Sequence, residues 1–200
     1  MPKKIISKQV FTLLCVVFSL FCSESIQNII SGLGILSFGI LHGANDLKIL
    51  SKKKLKNNSF LGLSFLVIYL GVVFLGIMIF YFIPGIALLT FVIVSCYHFG
   101  EQHWQDKIDY IKQPSLFYTF YGATIFLLLF SFHNSEVENI IFEISSVRIP
   151  FRIFKILLLS VGSVLLIFMF LKIKNFNFFL IEVILLVVLA LLFWKGSLLF

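Results

Sequence analysis

Charge is what this chain is short of. Only 12% of its 200 residues are Asp, Glu, Lys or Arg, against about 25% in a soluble domain. With 60% hydrophobic residues and a mean hydropathy of +1.08, a soluble globular enzyme is excluded. Cysteine is scarce as well. Cys15, Cys22 and Cys96 all lie within or beside apolar segments, and no CxxC pair occurs. Neither a disulfide framework nor a thiolate metal site follows from that set, and each residue reads as a small buried hydrophobe. The N-terminus lacks a cleavage site. Lys3, Lys4 and Lys8 precede an apolar run from Val10 to Cys22, as in a secretory signal, but Phe21 and Cys22 stand where small residues would be needed. The segment reads as an uncleaved first helix.

What remains is hydrocarbon in helix-sized blocks. A helix needs about 20 apolar residues to cross a bilayer. Seven candidates lie near 9–23, 28–47, 60–82, 85–104, 115–132, 151–171 and 176–194. The expected fold is an all-α, polytopic membrane bundle of about seven transmembrane helices, with residues 1–200 forming a single transmembrane domain. The 26 phenylalanines suit lipid-facing and core positions, or an aromatic-lined tunnel for a greasy substrate.

The net charge of +7 sits in short loops, so it reads as a topology signal and not as a nucleic-acid surface. Lys3, Lys4 and Lys8 precede the first candidate. Lys52, Lys53, Lys54 and Lys56 follow the second, Lys107 and Lys112 the fourth, and Lys172 and Lys174 the sixth. The alternate connections are poor in Lys and Arg: Ser23 to Gln27, the Pro84 turn, and His133 to Ile149 with Glu136, Glu138 and Glu143. All the basic loops share one side if the N-terminus is cytoplasmic. The expected location is a multi-pass protein of the inner (plasma) membrane.

Two short polar stretches interrupt these helices: Leu41-His42-Gly43-Ala44-Asn45-Asp46 and Ser95-Cys96-Tyr97-His98-Phe99-Gly100-Glu101. Imidazoles and carboxylates are costly at membrane depth and mark function there. His42 is six residues before Lys48, roughly 9 Å along the axis, and His98 is nine before Lys107, roughly 13 Å. Both therefore lie at similar depth towards the cytoplasmic side. Gly32, Gly39, His42, Gly43 and Asp46 share one helical stripe, and glycines four apart allow close helix approach. Ser95, His98 and Glu101 or Gln102 form a similar stripe, beside Gly100.

Each histidine is followed by a carboxylate. Metal-bound imidazoles commonly donate their other N–H to one, so the pairs read as half of a metal site: His42 and His98 as ligands, Asp46 and Glu101 as the carboxylates behind them. The plain alternative is that the histidines hydrogen-bond across helices and stabilise packing. His103 lies about 140° round the helix from His98 and, with Trp104, reads as interfacial. His133 falls at the opposite membrane face. Trp104 and Trp194 fit an aromatic belt.

His42-Gly43-Ala44-Asn45-Asp46 resembles the HGAxD motif of the Brp/Blh family, and Ser95 to Glu101 is similar to its SxxHFGE signature. Members are membrane β-carotene 15,15′-dioxygenases that cleave the central double bond to give retinal for microbial rhodopsins. The resemblance implies an Fe(2+)-dependent oxidoreductase of carotenoid metabolism. Its substrates would be β-carotene and O2 in membrane lipid, with a functional link to a rhodopsin. It also implies four histidine ligands, two of them from a later WHSxxxH-like segment. That pair is missing here. Trp194 to Phe200 looks like the start of the helix that would carry it, so a chain truncated at its C-terminus is expected. Residues 1–200 alone are then expected to insert but not to make retinal. Two other classes remain open: a bis-histidine haem protein, which a Soret band would reveal, and a non-enzymatic paralogue or transporter subunit, which would bind no metal.

Overall fold

Proline and asparagine punctuate the chain where helices begin. Pro84 occupies the first turn of one helix, after Ile83 leaves helical geometry at φ −138°, and Pro114 opens the next. A proline there loses no hydrogen bond, because its missing N–H would have had no partner. The Asn175 side chain accepts from Phe178 N at 3.2 Å and caps the last helix.

The computed structural model describes residues 14–37, 60–105, 107, 114–173 and 175–198. Every regular element among them is helical. Helices α1 (14–21) and α2 (24–37) are followed by α3 (Phe60–Phe82), α4 (Pro84–Trp104) and α5 (Pro114–Phe132). After these come α6 (Asn134–Ser145), α7 (Phe151–Lys172) and α8 (Phe176–Lys195). Helices α4, α5, α7 and α8 are each long and apolar enough to cross a membrane. The all-helical membrane fold expected from composition is the fold observed.

Two boundaries differ from expectation. The first connection is tighter: helix resumes at Glu24, which places Gln27 inside α2, where it is buried. The second difference is α6, a 12-residue helix within the stretch expected to be loop. It is too short to cross, so a search for spans passes over it. Its apolar residues nevertheless recur at helical spacing, with Val137 buried and Ile141 and Ile144 following on the same side. A left-handed residue, Ser146 at φ 57°, ends it.

Within a bilayer, helices gain little from hiding apolar surface, so close packing and polar ties decide how they associate. Gly100 of α4 lies against the backbone of Tyr118 in α5, and Gly122 of α5 against the backbone of Cys96. A Cβ on either glycine would sit inside the neighbouring main chain, and only a residue without one permits this approach. Helix α5 then packs on α7 and α8. Trp104, Phe117, Tyr121, Leu165 and Met169 form the centre of the core.

Contacts at the helix ends test the alternation read from the loops. Ser197 N donates to Gln27 Oε1 at 2.8 Å, His133 Nε2 lies 2.9 Å from Phe193 O, and Gly85 approaches Ser145. These residues were all expected at one end of the bundle. At the other, Trp104 meets Phe117 and Phe178, Phe117 meets Phe168, and Lys172 lies over Phe168. The described helices run up and down in the order that the charged loops require.

Candidate functional site

His98 is presented by the last two turns of α4. Phe91, Val94, His98 and Gln102 follow one another at three- and four-residue intervals and all are left uncovered by the described residues. Gln102 Nε2 lies 2.9 Å from His98 Nε2. An amide nitrogen only donates, so the ring nitrogen accepts and its proton sits on Nδ1. A ligand approaching Nε2 would displace the Gln102 amide, which is itself uncovered.

Glu101, expected behind a histidine, is half-buried and accepts from Tyr97 Oη at 2.7 Å. Donor and acceptor are one helical turn apart, so the pair forms within α4. Tyr97 in turn meets Tyr118 edge-on at 6.1 Å between ring centres. The carboxylate is thereby held on the side facing α5. His98 and Glu101 are thus both on α4 but engaged with different neighbours. His42 and Asp46 lie outside the described residues.

A second polar centre escaped the sequence reading. Glu182 of α8 is only 1% exposed, with Oε2 at 2.7 Å from His103 Nε2 and Oε1 at 2.7 Å from Lys107 Nζ. The His103 ring is stacked on Tyr121, 4.8 Å between centres and 13° from parallel. Glu182 carried the signal that could have found it. It is the only carboxylate in the otherwise apolar α8, the same anomaly that singled out His42 and His98. No spacing rule could name its partners, which lie 75 and 79 positions away.

The two tryptophans expected at membrane interfaces part company. Trp104 is fully buried among Phe117, Tyr121 and Phe178, whereas Trp194 is 59% exposed. Trp104 is therefore a core residue; the long side chain of Lys107 reaches across its ring at 5.2 Å. His133 is at the opposite end, between Phe193 O and Glu136, as expected.

A four-imidazole iron site would need several donors to converge. Among the described residues no three His, Cys, Asp or Glu side chains do so, and His98 contributes the one imidazole on the uncovered face of α4. That donor set is not assembled within the described residues, which exclude His42.

Comparison with known proteins yields no match among curated proteins or solved structures. At the level of families the result is different. The match runs from within α2 to the end of the described chain and takes in the whole α4–α5 pair with His98 and Glu101. Matching the family described as Beta-carotene 15,15'-dioxygenase over residues 33–199, the chain belongs to that family.

Proposed function

We infer that this protein cleaves β-carotene at its central 15,15′ double bond, with His98 and His42 as ligands of Fe(2+). One observation supports the assignment of His98 in particular. The imidazole of the HFGE signature stands on the face of α4 left uncovered by the described residues, while the opposite face is closed against α5. Helix α2 leads towards His42, which the loop charges put at similar depth. Imidazole suits Fe(2+) because it is compatible with open coordination positions.

Cleavage adds one oxygen atom of O2 to each carbon of the broken double bond, so one β-carotene yields two retinal molecules. Bound iron supplies the one-electron chemistry that O2 needs to react with a closed-shell polyene. The protein's own residues hold the ion, exclude water and select which double bond is presented. Asp46 and Glu101 are assigned as the carboxylates behind the imidazoles; Glu101 accepts from Tyr97, and in this role it would turn to an imidazole when the site is complete. A substrate dissolved in lipid reaches such a site from within the membrane. We place the chain in the inner membrane with a cytoplasmic N-terminus, supplying retinal to a microbial rhodopsin.

The test is retinal accumulation in carotene-producing cells that express the full-length gene product. The wild type should convert β-carotene and contain iron without a Soret band. Inserted protein that forms no retinal and binds no iron would overturn the reading.

A further inference from the structure

Glu182 does work that the proposed reaction leaves unassigned. A carboxylate one and a half turns into an apolar membrane helix is expensive and is kept where something depends on it. Both of its oxygens are committed, one to His103 and one to Lys107, at 2.7 Å each. A single ring nitrogen makes one hydrogen bond in its plane, so His103 Nε2–H donates to Oε2 while Lys107 donates to Oε1. The 2.8 Å approach of Lys107 Nζ to the same ring nitrogen follows from sharing the carboxylate.

This cluster ties α4 to α8 beside the edge-on contact of Trp104 with Phe178. Close backbone packing links α4 to α3, α5 and α6, and α5 to α7 and α8, so the contact of α4 with α8 is made by side chains. The α4–α5 contact is made through Gly100 and Gly122, and Trp104 holds the same end of α4 among Phe117, Tyr121 and Phe178; apolar rings can re-pack, whereas the charged tie at His103 fixes a direction. The ionic tie lies on the other side of α4 from His98, about 140° away. At the roughly 5–6 Å outer radius of a helix, a 10° turn displaces a side chain by about 1 Å. A misplacement of that size can cost on the order of 100-fold in rate.

We propose that Glu182, held by His103 and Lys107, is a positioning residue that sets the rotation of α4 and so the aim of His98. This rests on His98 being a working residue of the site. The tie acts on the reacting geometry. A polyene is held by apolar contacts, which this charged cluster does not supply, so the expected loss falls on kcat and not on KM.

The experiment measures cleavage per inserted polypeptide over a range of β-carotene loads, using the full-length gene product. Glu182→Gln should lower kcat on the order of 100-fold with KM changed less than about twofold. Exchanging the charges, Lys107→Glu with Glu182→Lys, should restore part of the rate that either single change loses. The decisive variant replaces all three groups by leucine. Apolar replacement of a buried ionic cluster is commonly neutral or stabilising for a fold, so this protein should insert and melt like the wild type yet remain slow. A wild-type kcat in the inserted triple variant would show that the cluster only stabilises, and would overturn the positioning role. So would a loss confined to KM. Undiminished cleavage by His98→Ala, measured alongside, would instead overturn the reading of the site beneath it.

Discussion

On the side of α4 that carries Cys96, Gly100 and Trp104, the chain is buried against α5 and its neighbours, while Phe91, Val94, His98 and Gln102 on another side are uncovered by the described residues. Two histidines five positions apart thus meet different fates. His103 is spent on Glu182 and on the face of Tyr121. Among the described residues, His98 meets a neighbouring amide at its ring nitrogen. The two are the same residue type about 7.5 Å apart along one helix, and the face decides what each can do. A histidine locked into an ion network has no ring nitrogen left for a ligand on that side, whereas one opposed by an uncovered glutamine needs only that amide to swing away.

The largest expected effect lies on the uncovered face. His98→Ala should abolish retinal formation in cells while the protein still inserts, and His42→Ala should do the same. His103→Ala, on the buried side, should retain measurable cleavage and bound iron. Wild-type iron content in His98→Ala would remove that residue from the site. Gln102→Ala should leave metal content intact, since the amide merely occupies a position that a ligand would take.

A smaller effect should follow from the carboxylates. Partners behind metal-bound imidazoles typically matter about 10–100-fold, so Asp46→Asn and Glu101→Gln should weaken retinal formation by that order without ending it. If Glu101 acts by holding its place beside Tyr97, then Tyr97→Phe should reproduce part of the Glu101→Gln loss. Its own cost in stability should be about 1 kcal/mol, the usual worth of one hydrogen bond.

The packed face should fail through stability. Gly100→Ala or Gly122→Ala would put a Cβ into the opposing main chain, and backbone cannot swing away as a side chain can. Overpacking of that kind costs about 1–3 kcal/mol, seen as earlier thermal aggregation in detergent. By contrast, Phe91→Ala and Val94→Ala should stay within about 0.5 kcal/mol, as for substitutions away from packed features. Equal sensitivity on both faces would mean that the uncovered face is in fact packed.

The smallest effect is spectroscopic. Trp104 and Trp194 are the two tryptophans of these residues, one fully buried and one largely uncovered. Quenchers carried on lipid should dim the emission lost in Trp194→Phe much more than the emission lost in Trp104→Phe. Comparable quenching of the two would contradict the inward placement of Trp104.

Much of this was legible in the residues. Long apolar runs force helices in a bilayer because every backbone N–H and C=O must be satisfied within its own segment. Pro84 and Pro114 mark helix starts by local rules, and the signatures around His42 and His98 point to the family that the chain-wide match then bears out. Helix α6 was missed because a search keyed to membrane thickness cannot register 12 residues.

Composition, loop charge and helical spacing act along the chain or within a few turns of it, so the sequence by itself determined the helical membrane class, the alternation of the spans and the stripe containing His98. Which side of α4 would be closed was left to the tertiary structure. That depended on Gly100 meeting Tyr118 and Gly122 meeting Cys96, and on Glu182 finding His103 and Lys107 across the bundle. Such pairings are set by how helices turn and slide against one another. Spacing along a single helix carries no information about the helix that will face it.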